Sequence, residues 1–103
     1  MKDLIKLKTM DRLSLRIITP TKLFIDQEVE CVNMTTIDGD ITVYKNHTPL
    51  ISSLTLSKIL VRNLNNKEEM YIHVHRGLLN VTGHQVKIIT SNAYFVDKDG
   101  NKI

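Results

Sequence analysis

From Leu13 onward the chain alternates apolar and polar residues with a period of two, the mark of half-buried β-strands. Leu13, Leu15 and Ile17 face one way and Ser14 and Arg16 the other, until Thr19-Pro20 ends the run. Leu23-Phe24-Ile25 reads as a short apolar piece closed by Asp26. Val29 and Cys31 share a face, after which the apolar positions switch parity to Val32 and Met34. Such a slip marks a β-bulge, or a strand buried on both faces. Asp38-Gly39 is a turn signal, and Ile41 and Val43 alternate with Thr42 and Tyr44 as a short strand. Lys45-Asn46-His47-Thr48 breaks that strand ahead of Pro49, and Leu50, Ile51 and Leu54 continue beyond it. Residues 59–64 and 70–74 form a hairpin across Asn65-Asn66. Arg76-Gly77 is a break, and residues 78–81 and 86–89 flank a turn at Thr82-Gly83-His84. No stretch sustains a helical period. Many short strands punctuated by turns predict an all-β domain, an antiparallel sandwich or barrel.

Residues 1–11 precede the first convincing strand and read as a loosely held extension. Leu4, Ile5 and Leu7 there suit an extra strand, a helical turn or disorder. Residues 12–95 form the domain, and residues 96–103 a polar tail. At 103 residues the chain is one domain, able to bury roughly 60–68% of its unfolded surface in a single core. With 42% apolar and 24% charged residues it has the composition of a soluble globular protein. Cys31 is the only cysteine, so no intrachain disulfide forms, which fits a reducing compartment. The first ten residues interleave Lys and Asp with Leu and Ile, unlike a secretory signal. No apolar run approaches the ~20 residues of a membrane-spanning helix. The net charge of +3 is modest and spread along the chain. Aromatics make up 5% and Trp is absent, so nucleic acid is not an expected partner.

Candidate chemistry is sparse. His73-Val74-His75 places two imidazoles on one face of a strand, an arrangement suited to metal binding in a small β-barrel enzyme. A cupin-like site also wants a Glu four or five positions later, where Leu79-Asn80 stand; both histidines otherwise read as half-exposed strand residues. Cys31 as a nucleophile competes with its reading as a small buried hydrophobe between valines. Asp38-Gly39-Asp40 and the run Asp97-Lys98-Asp99-Gly100-Asn101 echo calcium loops, but lack further acids at the required spacing. Four scattered glycines do not cradle phosphates. The residues read as a scaffold without cofactor or metal, not a catalyst.

Gly39-Asp40-Ile41-x-Val43-x-x-x-His47-Thr48-Pro49-Leu50 resembles the Gly-rich signature of the epsilon subunit of F-type ATP synthases. Leu15-Arg16-Ile17-Ile18-Thr19-Pro20, Glu28-Val29-Glu30, Gly77-Leu78-Leu79-Asn80-Val81 and Val86-Lys87-Ile88-Ile89 resemble its other strands, in the same order. The resemblance implies a flattened antiparallel β-sandwich of two sheets, about ten short strands in all. It also implies a non-catalytic rotor subunit in the central stalk of an F-type ATPase, packed on gamma and touching the c-ring loops. Such a subunit meets the alpha/beta hexamer only indirectly. It is peripheral on the cytoplasmic face of the membrane, without inserting into lipid, during ATP synthesis or hydrolysis coupled to proton transport. By resemblance Asp38, Gly39 and Asp40 fall on the loop that meets the c-ring, and Thr19, His47 and Ser52 fall near gamma. The family's C-terminal helical hairpin has no counterpart in the polar tail, so inhibition and ATP sensing are not carried over. Thr35-Thr36, Thr42, Lys45-Asn46, Leu56-Ser57 and Arg76 replace glycines or Pro-Gly pairs of the family pattern. Asn46 tolerates a left-handed backbone; the other replacements imply re-shaped loops and allow a diverged subunit of an F-type-like ATPase without an ordinary c-ring.

Overall fold

The computed structural model describes residues 12–103, so the extension read over residues 1–11 lies outside the described part. The described chain holds nine strands and no helix: β1 (Leu13–Ile18), β2 (Leu23–Thr36), β3 (Gly39–Tyr44), β4 (Leu50–Leu54), β5 (Ser57–Asn63), β6 (Glu69–Val74), β7 (Gly77–Val81), β8 (Gln85–Thr90) and β9 (Ala93–Val96).

Strand β2, 14 residues long, belongs to both layers. Its first half pairs with β1, Val29 opposite Leu13 and Ile25 opposite Ile17. Its second half lies between β3 and β5. One sheet therefore runs β2–β1–β8–β7–β4 and the other β3–β2–β5–β6–β9. Counting β2 in each gives two five-stranded layers. At the far end of β2, Thr36 bridges to Leu54, so β1, β8, β7, β4 and β2 close into a ring.

Alternation explains most of the strands. In β1 the odd positions are buried and the even ones half-exposed. Leu13, Leu15, Ile17, Val86, Ile88, Leu79 and Val81 of the first sheet meet Val32, Met34, Val43, Ile59, Val61, Ile72 and Val74 of the second in one core. The parity slip in β2 is a bulge: the register against β5 shifts between Val29 and Cys31. Val29 and Val32 thereby both face the core, while Cys31 pairs with Tyr44 and Arg62.

The expected two-layer sandwich is what the chain forms; one strand boundary is corrected, and one pairing departs from the antiparallel rule. Asp26 does not close a strand after Ile25; β2 runs on through it, because Asp26 pairs with Arg16 and its carboxylate lies 3.8 Å from that guanidinium. Nor are all pairings antiparallel. β1 and β8 run parallel, Ile17 beside Ile88. Both strands need a buried neighbour on each side, and the chain returns to β1 only after crossing to the second sheet and back.

Candidate interaction surface

The turn between β2 and β3 is pinned by a buried threonine. The Asp38 N–H donates to the Thr36 hydroxyl oxygen at 3.1 Å, and that hydroxyl donates to the Gly39 carbonyl at 3.0 Å. Gly39 takes φ 124°, which an L side chain rarely adopts. The Ile37 N–H donates to the Ser53 carbonyl at 3.0 Å, tying the turn to β4. Asp38, Gly39 and Asp40 are all exposed on this rim, Asp40 accepting a bond from the Asn33 amide at 3.1 Å.

Thr19, His47 and Ser52 are not brought together. Thr19 opens the β1–β2 turn, where its N–H and hydroxyl both donate to the Lys22 carbonyl. His47 lies in the loop after β3, its Nδ1 2.7 Å from the Thr48 carbonyl, to which it donates. That loop is tied by the Asn46 N–H to the Gly83 carbonyl, in the turn that leads into β8. Because β8 runs parallel to β1, Thr19 and His47 mark opposite ends of the first sheet. Ser52 sits midway on β4, opposite buried Leu79, with its hydroxyl buried and unpartnered.

Between those ends the outer face of the first sheet carries an apolar row that pattern reading had missed. Ile18 stands beside Ile89, Ile89 beside Leu78, and Ile51 lies diagonal to Leu78 through its partner Asn80. Ile51 is 78% exposed, Leu78 58% and Ile89 48%. Single exposed apolar residues are ordinary, but a contiguous row on one sheet face marks an interaction surface. The parity of β4 was the available signal: Ile51 faces out while Ser52 faces in.

The loop between β6 and β7 is strained. Arg76 takes φ 61°, in the left-handed region, where a side chain costs roughly 1–2 kcal/mol. Asn46 does the same at φ 68°. Hydrogen bonds hold Arg76 there: the Thr90 hydroxyl donates to its carbonyl at 2.5 Å, the Ser91 hydroxyl donates to the His75 carbonyl at 3.1 Å, and the His75 N–H to the Asn92 carbonyl at 3.0 Å. Gly77 follows against the Ile89 backbone, where a Cβ would come to 2.5 Å from the carbonyl oxygen. The loop keeps a glycine-type backbone although an arginine occupies it.

The remaining chemistry does not converge. His73 stacks on Tyr94 with ring centroids 4.7 Å apart and lies 6.3 Å from His75. Among the described residues no third His, Cys, Asp or Glu joins them as a metal ligand. Cys31 is buried, and that burial pushes its thiol up, with the Arg62 guanidinium opposing. Asp97 caps its own turn, its Oδ1 accepting the N–H of Asp99 and of Asn101, both at 2.9 Å. The bonds from Asn101 and then Asp99 hold its carboxyl below the usual range.

The class of protein this describes is a two-layer β-sandwich with an exposed apolar row on one outer face and a pinned rim at one end. The chain belongs to the family of the ATP synthase Delta/Epsilon chain, beta-sandwich domain, whose profile matches residues 12–96. It is 29% identical over 84 residues to the sodium-ion-specific ATP synthase epsilon chain of Propionigenium modestum, covering 82% of this chain and 60% of that one. It is 33% identical over 90 residues to the ATP synthase epsilon chain of Gloeothece citriformis, covering 84% and 64%. The chain thus spans about 60% of the length of the first of these relatives. Among solved structures, a chain of the Euglena gracilis mitochondrial ATP synthase superposes with a TM-score of 0.76 at 16% identity, over 86% of this chain and 58% of that one. A chain from the central stalk and c-ring of the Tetrahymena thermophila mitochondrial ATP synthase gives 0.67 at 11%, over 80% and 65%. The structural likenesses carry the fold.

Proposed function

We propose that this chain is a non-catalytic rotor subunit in the central stalk of an F-type ATPase. It joins gamma to the c-ring during rotary ATP synthesis or hydrolysis coupled to proton transport, and is peripheral on the cytoplasmic face of the membrane. The observation that carries this reading is the apolar row Ile18–Ile89–Leu78–Ile51 on a family-matched sandwich. That row is the centre of the gamma contact. Thr19 and His47 bound it, and Ser52 lies beneath it, between Ile51 and Ser53 on β4. A stable contact needs roughly 800 Å² per partner with an apolar centre, which this row would supply. The rim with Asp38, Gly39 and Asp40 meets the c-ring loops. The alpha/beta hexamer is reached only through gamma.

A tagged copy purified from gently solubilised native membranes tests this. Recovery of alpha, beta, gamma and c subunits is expected. Recovery of alpha, beta and gamma without a c-ring would assign the chain to a repurposed motor. Absence of every ATPase subunit would overturn the rotor reading.

A further inference from the structure

The rim carries an exposed cation, Arg76. Of the four arginines, Arg12, Arg16 and Arg62 each face a carboxylate, of Glu28, Asp26 and Glu69 respectively. Among the described residues nothing pairs with the guanidinium of Arg76, which is exposed. It lines an open cleft of about 630 Å³ with Ile37, Leu54, Leu56 and Gly77. Ile37 is 64% exposed and Leu56 55%. Among the described residues no acid lines that cleft, which leaves the guanidinium open to a partner's carboxylate.

The backbone sharpens the point. A left-handed arginine costs energy that glycine would not, and such strain collects where a side chain has a task. Thr90, Ser91 and Asn92 hold the loop in this geometry, which fixes where the guanidinium starts. A planar guanidinium beside two exposed aliphatic side chains matches a protein loop that offers a carboxylate flanked by an apolar residue.

We propose that Arg76 makes this cleft the receptor for an acidic loop of the protein that sits against the rim. The site rests on the rotor reading, with that partner being the c-ring. Partner specificity then lies in two opposite charges on one rim: Asp38 and Asp40 on the β2–β3 turn, and Arg76 across the cleft.

The test uses the assembled complex from native membranes. In the Arg76→Lys variant the amine keeps the charge, and carbodiimide couples it to any carboxylate within ion-pairing distance. A cross-link to an acidic residue of a non-gamma subunit is expected. Arg76→Glu should lower recovery of that subunit about tenfold while gamma recovery is unchanged. Arg76→Gly relieves the backbone, so it folds at least as well as wild type and should still lose the rim partner. No cross-link, together with wild-type recovery in both the Glu and Gly variants, overturns the proposal. So does Arg76-dependent binding of the isolated chain to phosphatidylglycerol vesicles without a cross-link, which would assign the cleft to lipid headgroups. If wild type recovers no gamma, the rotor reading fails first and this proposal falls with it.

Discussion

Arg76 and Gly77 are neighbours under opposite constraints. Arg76 has space and the wrong backbone; Gly77 has an ordinary backbone and no space. Replacing Arg76 with glycine removes left-handed strain but gives the unfolded chain more conformational freedom, for a net gain of about 0.5–1 kcal/mol in denaturant unfolding. Gly77→Ala drives a methyl into the Ile89 carbonyl and should cost about 2–3 kcal/mol. Ser52 gives a third contrast. Its buried hydroxyl has no partner, so Ser52→Ala should leave stability unchanged or raise it by up to about 1 kcal/mol. The same variant should keep gamma recovery at wild-type level, since Ser52 faces the core. None of these three sites is legible from residue type. A rule that assigns left-handed backbone to Gly and Asn finds Asn46 and misses Arg76. A rule that buries apolar residues turns Ile51 inward and Ser52 outward, the reverse of what β4 does.

Among the elements, β1 and the β5–β6 hairpin follow directly from period-two alternation, because each has one wet face and one dry. β2 does not. Its first half is an outer strand where Asp26, Gln27 and Glu28 sit in solvent, so polarity there reads as a stop although the backbone pairing continues. The bulge was legible because it alone leaves Val29, Cys31, Val32 and Met34 out of phase. The end of the chain also has more structure than polar composition suggests. Lys102 bridges to Val96, and the Ile103 N–H reaches the Phe95 carbonyl. Asp97 closes that return. Its carboxyl titrates below its ordinary value of 3.8 in the folded chain, so the contribution is present above that ordinary value and fades as pH falls through the lowered one. The amide of Asn101 should exchange slowly at neutral pH and lose protection on acidification. In Asp97→Ala its exchange should match the unprotected rate at every pH.

The whole molecule separates stability from recognition by face. Charges placed on the apolar row meet water in the free chain, so Ile51→Asp and Leu78→Asp should change unfolding free energy by no more than about 0.5–1 kcal/mol. The same changes should weaken gamma recovery at least about tenfold, since a carboxylate buried at the centre of an interface goes unpaired. The class of fold was readable from many short strands, and the family from the 39–50 run. Hairpin partners were readable from the turns between them; which distant strands pair was not, because alternation says which way a residue faces and nothing about its neighbour. The parallel contact of β1 with β8 is the clearest case, and it sets the order in which the molecule can be made. As the chain leaves the ribosome, β1 has only β2 to lie against; its other edge waits until nearly all remaining strands have been synthesised. Leu15 and Ile17 stay half-covered for that interval, and closure depends on a contact between distant parts of the chain. Such topologies fold in roughly milliseconds to seconds rather than microseconds. Pulse-labelled amide exchange during refolding should accordingly protect the β5–β6 hairpin first and β8 among the last.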